Sequence, residues 1–434
     1  MCYEKNFLFV IVCVLLIVSS AFCGDWMQWR GPSFNGSSEE TGLVDDWSIK
    51  KNVKWSAKLP GTGASTPIIC KGRVFVSSTD KAGKGLLGMC FNAVTGQEIW
   101  RKTISTASRK IARKGDMACP SASTDGERVY FTFENGVIAA LDFAGDLKWK
   151  RKLEEEYGSV HIKFGYSSTP LLFDGKMFVV VIRHPDQHLG EDGKPRDSFI
   201  LAIDPVTGEN IFKQSRQFKV LEETNDSYIS AIPFVHDGRK EILVNAADHL
   251  TAHDPATGKE IWQYKYCLKP IKWGRNIASV VTGDGMVFGA RARGEGFYAI
   301  NGGATGVVAE KDIAWTFDGP APDVCTPLYY RDKLYVLDGG KKKVVTCLDP
   351  KTGKVKWKGK LGGSYPWRAS LTAADGKIYC INENGLTVVI DAEADTYKEI
   401  SRVDLGDKKT LGSIAIAGNA LFIRTGTKLY RIQK

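Results

Sequence analysis

Short apolar runs separated by tight turns extend along most of the 434-residue chain. The commonest unit reads small–x–Pro–apolar–apolar–x–Asp-Gly–x–Val–aromatic, as in STPLLFDGKMFVV (168–180) and CTPLYYRDKLYVL (325–337). Apolar residues recur at every second position on both sides of the turn, a pattern typical of two strands joined by a hairpin. Eight copies occur at a mean spacing of about 50 residues, which predicts a repeat array such as a propeller.

A second motif follows most of these hairpins. It reads AIDPVTGENIF at 202–212, AHDPATGKEIW at 252–262 and CLDPKTGKVKW at 347–357. The Asp caps a turn, the Gly supplies the positive φ that the turn needs, and the closing aromatic can bury a large face between neighbouring sheets. We therefore expect a set of structural docking aromatics: Trp55, Trp100, Trp149, Phe212, Trp262, Trp315 and Trp357.

The two ends of the chain complement each other. VKWSAKL (53–59) is an aromatic-bearing strand with no hairpin before it, and TKLYRI (427–432) is a third strand with nothing after it. If the first strand completes the last unit, the array closes and no sheet edge is left exposed. The prediction is an all-β fold, one eight-bladed β-propeller of four-stranded antiparallel blades over 53–434. The alternative, an open β-solenoid, predicts capping units instead.

The N-terminal residues have the layout of an export signal. FLFVIVCVLLIV (7–18) is too short to span a bilayer as a mature helix, and small residues follow it. We predict a signal peptide over 1–23, an N-terminal extension over 24–52 and a periplasmic or secreted protein. Lipidation of Cys23 is the alternative, but Phe22 is bulky where a lipoprotein signal has a small residue.

Composition and charge narrow the function only slightly. The chain holds 45 Gly and 11 Trp, which suits a turn-rich β protein, and its formal net charge of +10 favours anionic partners. Seven cysteines remain after residue 23, and their scattered spacing indicates neither a disulfide framework nor a zinc site. An exported chain without a standard recognition module is not predicted to bind nucleic acid.

The turn motif identifies a known group. AxDxxTGxxxW is similar to the tryptophan-docking motif of the pyrroloquinoline-quinone (PQQ) repeat propellers, and DWMQWRGPSFNG (25–36) resembles the start of an exported bacterial group of them. Relatives of this kind are either quinoprotein dehydrogenases, with PQQ and calcium on the axis, or non-catalytic scaffolds similar to BamB. The motif marks the structural turn, so it does not decide between these functions.

Sequence features of catalysis are sparse. The chain has no Cys-Cys dipeptide of the kind that the dehydrogenase resemblance implies, no CxxCH and no GxSxG. The histidines of RHPDQHLGED (183–192) fit a solvated loop better than a metal site. Oxygen ligands for calcium are available without a distinctive spacing: Glu134, Asn135, Asp226, Glu295 and Asn382. We predict no catalytic residue, no metal ligand and no cofactor, with PQQ plus calcium as the alternative.

Topology indicates which face of a propeller binds. The Asp-Gly and Thr-Gly turns share one face, whereas the opposite face carries the longer connections, where binding residues are commonly found. We call the latter the long-connection face, and we expect it to bind a protein or an acidic carbohydrate, in a complex that can be membrane-associated, with the chain itself a monomer. The candidate residues are Arg183, His184, Lys272, Trp273, Arg275, Arg291, Arg293, Tyr365, Trp367 and Arg368. A groove of Trp273, Tyr365 and Trp367 would favour a carbohydrate ligand.

Overall fold

The computed structural model describes residues 24–107, 115–183, 197–220 and 223–434. Within these ranges the strands form the eight blades of a β-propeller, seven of them four-stranded antiparallel sheets and one with a fifth, parallel strand added, and the fold predicted from the repeat spacing is confirmed. The predicted signal peptide (1–23) and His184 lie outside the described residues.

The first half of the ring holds blades 1 to 4, preceded by one separate strand. The strands are β1 Val53–Lys58; for blade 1, β2 Ile68–Cys70, β3 Arg73–Thr79, β4 Gly85–Asn92 and β5 Glu98–Thr106; for blade 2, β6 Ser123–Thr124, β7 Arg128–Thr132, β8 Val137–Asp142 and β9 Leu147–Lys152; for blade 3, β10 Leu171–Phe173, β11 Lys176–Val181, β12 Phe199–Ile203 and β13 Asn210–Ser215; and for blade 4, β14 Ile232–His236, β15 Arg239–Ala246, β16 His249–His253 and β17 Glu260–Lys265.

The second half holds blades 5 to 8. The strands are, for blade 5, β18 Val281–Gly283, β19 Met286–Ala290, β20 Phe297–Asn301 and β22 Trp315–Phe317, with β21 Gly306–Val308 inserted; for blade 6, β23 Leu328–Tyr330, β24 Lys333–Asp338, β25 Val344–Leu348 and β26 Val355–Lys360; for blade 7, β27 Thr372–Ala374, β28 Lys377–Ile381, β29 Leu386–Asp391 and β30 Glu399–Asp404; and for blade 8, β31 Ala415–Ala417, β32 Ala420–Arg424 and β33 Lys428–Ile432. The described ranges also hold one short α-helix, α1 Leu153–Tyr157, and two 3-10 helices, Ala292–Gly294 and Glu310–Asp312.

The ring closes through the two chain ends. β1 pairs antiparallel with β33, with Ala57 opposite Leu429, so that β1 becomes the outer strand of blade 8. The middle strands of the blades are almost wholly buried, whereas outer strands such as β13 and β26 alternate between exposed positions and half-buried or buried ones. The core therefore lies between the faces of neighbouring blades, as the period-2 pattern requires.

Docking aromatics join most blades to the next one. Trp55 of blade 8 donates its Nε1–H to the carbonyl of Ala93 in the turn of blade 1, at 3.0 Å. Trp100 of blade 1 donates in the same way to Phe143 of blade 2, at 3.0 Å, and its ring packs 6.0 Å from Phe75. The same relation between one blade and its successor recurs for Trp149 and Trp315.

Blade 4 departs from this pattern because of an insertion. The stretch 299–315 lengthens the turn motif of blade 5 and places β21 parallel to β17, as a fifth strand on blade 4. Trp262 is opposite Gly306 in that pairing, and its Nε1–H donates to the buried carboxylate of Glu241 in its own blade, at 2.9 Å. At other junctions the aromatic of one blade docks directly on a turn of the next blade. In blade 4 the inserted strand β21 occupies that place.

The N-terminal extension packs across the face of the short turns. Trp26 bridges to Ile69 in blade 1, the backbone N–H of Thr124 in blade 2 donates to the carbonyl of Met27, and the carboxylate of Glu40 accepts the N–H groups of the blade 8 turn. Trp47 lies in a cluster with residues of blades 7 and 8, 6.4 Å from the ring of Tyr379. It fills a junction for which the sequence of β30 provides no docking aromatic.

Candidate binding site on the propeller axis

Eight hydroxyl side chains form a closed hydrogen-bonded ring around the axis. Each blade contributes one Ser or Thr just before its innermost strand, and its backbone N–H donates to the hydroxyl oxygen of the next blade at 2.9–3.1 Å. We call this set the hydroxyl ring: Thr66, Ser121, Thr169, Ser230, Ser279, Thr326, Ser370 and Ser413. Because the eighth bond returns to Thr66, the ring repeats the closure of the whole fold at the centre.

The hydroxyl ring surrounds a cavity of about 160 Å³ on the axis. All eight ring residues line it, together with Trp29, Cys119, Tyr228 and Arg368 among others, and no carboxylate is among its described lining residues. Burial raises the pKa of the Cys119 thiol to about 12, so the thiol is neutral at physiological pH. The cavity is therefore a small chamber with hydroxyl walls and an aromatic residue from the extension.

Arg30 anchors the extension below the ring. Its guanidinium donates to the carbonyls of Leu371 (2.9 Å) and Pro327 (2.7 Å), each adjacent in sequence to a ring residue. The side chain is fully buried, and desolvation lowers its pKa to about 9. Within the described residues Arg30 has no carboxylate partner, so it places a buried positive charge next to the axis.

A second buried guanidinium lies near the cavity wall. Arg424, at the end of β32, is 1% exposed, and Nε and both terminal nitrogens lack a hydrogen-bond acceptor among the described residues. Its guanidinium packs on Gly63, where an added Cβ would fall 2.3 Å from a guanidinium nitrogen. Desolvation lowers its pKa to about 10, against a smaller opposing effect of Asp116 and Cys119.

Most of the cations predicted for binding are engaged in internal contacts. Arg183 is buried and donates to the backbone carbonyls of residues 157, 158, 159 and 197, so its side chain supports the loops and does not reach solvent. Arg291 pairs with Glu310 at 2.8 Å, and Arg293 lies 3.7 Å from Asp323. Arg275 pairs with Glu223, and Arg368 pairs with Glu383.

The aromatic groove that would favour a carbohydrate ligand does not form. Trp367 is 0% exposed and donates its Nε1–H to the carbonyl of Gly362, so its predicted place among the residues of the binding face is wrong. Trp273 and Tyr365 are exposed, by 53% and 42%. Lys272 lies 4.8 Å from the centre of the Trp273 ring, and Trp273 has a left-handed backbone with φ of 57°. These residues give the long-connection face its exposed aromatic surface.

Two of the oxygen ligands considered for calcium, Glu134 and Asn382, are held in other contacts. Glu134 is fully buried, 3.0 Å from Nδ1 of His161, and Asn382 accepts the N–H groups of Asn384 and Leu386 in its own turn. In the part of the chain that the structure describes, no three His, Cys, Asp or Glu side chains form a group suited to a metal ion. The seven described cysteines are free thiols.

Sequence reasoning missed the hydroxyl ring and both buried arginines. The ring did leave a signal, because the residue two positions before the innermost strand is a Ser or Thr in all eight blades. Arg30 and Arg424 left none, since a single Arg in a loop or at a strand end is ordinarily exposed. Their burial depends on the extension and on the loop containing Gly63.

The ring of eight blades, with its docking turns, defines the protein as an eight-bladed β-propeller of the PQQ-like repeat class. The family model described as "Outer membrane protein assembly factor BamB" matches residues 47–191 and 196–310, which is more than half of the chain. The chain therefore belongs to this family, and the resemblance seen in the turn motif is confirmed.

Solved structures of both functional kinds share the fold. A europium-containing methanol dehydrogenase aligns with a TM-score of 0.68 at 12% identity, over 93% of this chain and 90% of that one. BamB from Moraxella catarrhalis aligns with a TM-score of 0.57 at 13% identity, over 88% and 99%. Quinohemoprotein alcohol dehydrogenase from Comamonas testosteroni gives 0.63 at 15% identity, over 94% and 80%. No curated protein matches the sequence.

No helix within the described ranges is both long enough and apolar enough to cross a membrane.

Proposed function

We propose that the protein is an exported, non-catalytic propeller that binds a protein partner through its long-connection face. The observation that carries the proposal is the exposed pair Trp273 and Tyr365 on that face. Trp273 keeps its indole in solvent from a left-handed backbone, a conformation that is uncommon and costly for a bulky residue. Aromatic side chains of this kind are enriched at the centres of protein interfaces.

The family supports a scaffold role. The matching family is described as an outer membrane protein assembly factor, and by analogy the partner is a component of outer-membrane protein assembly. The analogy also supports a periplasmic location. Fold similarity at 12–15% identity shows the architecture alone, and identification of the partner by crosslinking tests the role.

The axial cavity supports the absence of a quinone cofactor. Its volume of about 160 Å³ is smaller than the roughly 300–1,000 Å³ that ordinary cofactor sites occupy. Its described lining supplies hydroxyls and one paired guanidinium in place of the carboxylates that calcium sites use. The residues present do not fit PQQ with calcium. The carbohydrate alternative would use a surface groove of Trp273, Tyr365 and Trp367, and Trp367 cannot contribute to it because it is buried.

Site-specific photocrosslinking tests the binding face. A photoreactive amino acid is placed at Trp273 or Tyr365, and at Val94 as a control, because Val94 is 66% exposed on the opposite, short-turn face. We expect one discrete crosslinked protein from positions 273 and 365 and none from 94. Equal crosslinking from all three positions, or none from 273 and 365, would contradict the proposal.

A catalytic assay tests the other half of the proposal. The purified protein is incubated with PQQ and calcium and assayed for dye-linked oxidation of alcohols and sugars. We expect neither saturable quinone binding nor turnover. Turnover that requires both additions would make the protein a quinoprotein dehydrogenase and overturn the proposal.

A further inference from the structure

We propose that the axial cavity binds a small oxyanion, such as a carboxylate or an inorganic phosphate, through the hydroxyl ring. The cavity lies on the propeller axis, so a failure to bind an oxyanion there would leave the proposed partner on the long-connection face unaffected.

The donors come from the hydrogen-bond pattern of the ring. Each ring oxygen accepts a backbone N–H from the neighbouring blade, and no ring hydroxyl has an acceptor for its own hydrogen within the described residues. A hydroxyl carries one donor and two acceptor sites, so the unused hydrogen remains available to a ligand. All eight side chains are at least nine-tenths buried, and all eight line the cavity. Eight O–H groups therefore surround one small volume.

The charges near the cavity favour an anion. Arg424 has three buried nitrogens without an acceptor among the described residues, and Asp116 acts on it only through space, without an ion pair at contact distance. The positive charge of Arg424 acts to lower the pKa of Cys119, a residue that lines the cavity. The guanidinium also packs on Gly63, whose neighbour Ala64 lines the cavity. A buried cation without a partner is unfavourable, and an anion in the adjacent cavity would relieve that cost.

Arg30, in the N-terminal extension, is a second buried positive charge next to the hydroxyl ring. It donates only to backbone carbonyls, including those that follow ring residues Thr326 and Ser370. Arg368, which lines the cavity, is neutralised by Glu383. Within the described residues, Arg30 and Arg424 have no carboxylate at hydrogen-bond distance, and Asp116 is a nearby carboxylate without a cation at contact distance, so the balance of these three charges is positive. A metal cation in the ring would be repelled by Arg30 and Arg424, although hydroxyl oxygens alone can bind cations.

Thermal melts of the full-length mature protein test the site. Sodium phosphate and sodium acetate are titrated separately against sodium chloride at constant ionic strength, and calcium chloride is titrated in parallel. We expect a saturable rise in Tm with an oxyanion, because a ligand bound only to the folded state stabilises it. The comparison of phosphate with acetate tells which oxyanion is preferred. No saturable rise with either, or a rise with calcium alone, would overturn the proposal.

Substitutions within blade 6 supply matched controls. Thr326→Val removes a ring hydroxyl, Thr326→Ser keeps it, and Thr346→Val removes a buried hydroxyl in β25, outside the ring. We expect oxyanion affinity to fall at least tenfold in T326V and to be retained in T326S and T346V. An equal loss in T326V and T346V would show a general effect on the blade and contradict the role of the ring.

Arg424→Met separates the charge from the fold. We expect it to abolish the oxyanion response and leave the Tm without ligand unchanged or higher, since the buried guanidinium has no partner to lose. A markedly lower Tm would reveal a structural partner and remove the charge argument. In crystals soaked in selenate, an anomalous peak within hydrogen-bond distance of the ring hydroxyls would locate the ligand, and a peak elsewhere would refute the site.

Discussion

The indole of Trp149 in blade 2 lies against Gly208 in the turn of blade 3, and its Nε1–H donates to the carbonyl of Pro205 at 2.9 Å. A Cβ on Gly208 would fall 2.7 Å from the indole. Gly208 has φ of 79°, so the turn needs a glycine both for its backbone and for the close approach of the ring. The turn glycine of five repeats contacts the aromatic of the preceding blade in this way, so it serves the turn and the junction between blades together.

Gly208→Ala should destabilise the protein more than Gly238→Ala does. Both glycines have φ near 78°, but nothing lies within 4 Å of a Cβ added to Gly238. We expect a cost of about 1 kcal/mol for G238A from the backbone alone and about 2–3 kcal/mol for G208A, which also displaces the indole. Urea unfolding measures both, and equal costs would contradict the docking contact.

Trp262→Phe should cost more than Trp149→Phe, although both remove one indole hydrogen bond. The indole of Trp262 donates to the carboxylate of Glu241, which is fully buried, whereas Trp149 donates to a neutral carbonyl. We expect about 2–3 kcal/mol for W262F and about 1 kcal/mol for W149F, because hydrogen bonds to charged groups are stronger. Urea unfolding would contradict this if W149F cost as much.

The control for that comparison is Glu241→Gln in the W262F background. Arg239 also donates to Glu241, at 2.6 Å, and E241Q alone loses that ion pair, so the cost of W262F is measured relative to E241Q, where part of it should be recovered because a neutral amide needs the indole donor less than a carboxylate does. No recovery would assign the cost of W262F to packing.

His253 should make the protein less stable in mild acid. Desolvation lowers its pKa from 6.5 to about 4, and its ring lies 3.0 Å from the carbonyl of Gly258 and 2.9 Å from Oγ1 of Thr251. The unfolded chain takes up the proton first, so the stabilisation is complete above pH 6.5 and is lost as the pH falls toward 4. The total is on the order of 3 kcal/mol.

The variant His253→Gln isolates this effect. Other groups also titrate in this range, so the quantity to compare is the slope of the unfolding free energy against pH in the two proteins. We expect H253Q to lose stability less steeply between pH 6.5 and 4. Identical slopes would show that His253 is not the titrating group.

Trp47→Ala should weaken one junction of the ring selectively. The side chain is buried among residues of blades 7 and 8, so its removal leaves a large cavity with an expected cost of about 3–5 kcal/mol. Trp273→Ala is the control, because that indole is exposed, and it should cost less than about 0.5 kcal/mol. Hydrogen exchange should accelerate in blades 7 and 8 before it does in blades 2 and 3.

The architecture could be predicted because each blade repeats the same local interactions. Turn residues and an aromatic at fixed spacing gave the blade number, the closure by β1 and β33 and the aromatics between blades. The burial of Arg183 and Trp367 was not predictable, because each lies in a connection without periodicity and is covered by residues distant in sequence. Likewise, no pattern in 24–52 indicates that Arg30 and Trp47 enter the core.

The pairing of β1 with β33 also sets an order for biosynthesis. The strand β1 has its permanent partner only when residues 428–432 have been made, so blade 8 cannot assemble before then. Until then β1 is an unpaired strand, and the closing contact spans nearly the whole chain, which makes it entropically the most demanding one. A premature stop before Lys428 would therefore leave an open ring with two unpaired strand edges, which proteases and chaperones would be expected to recognise.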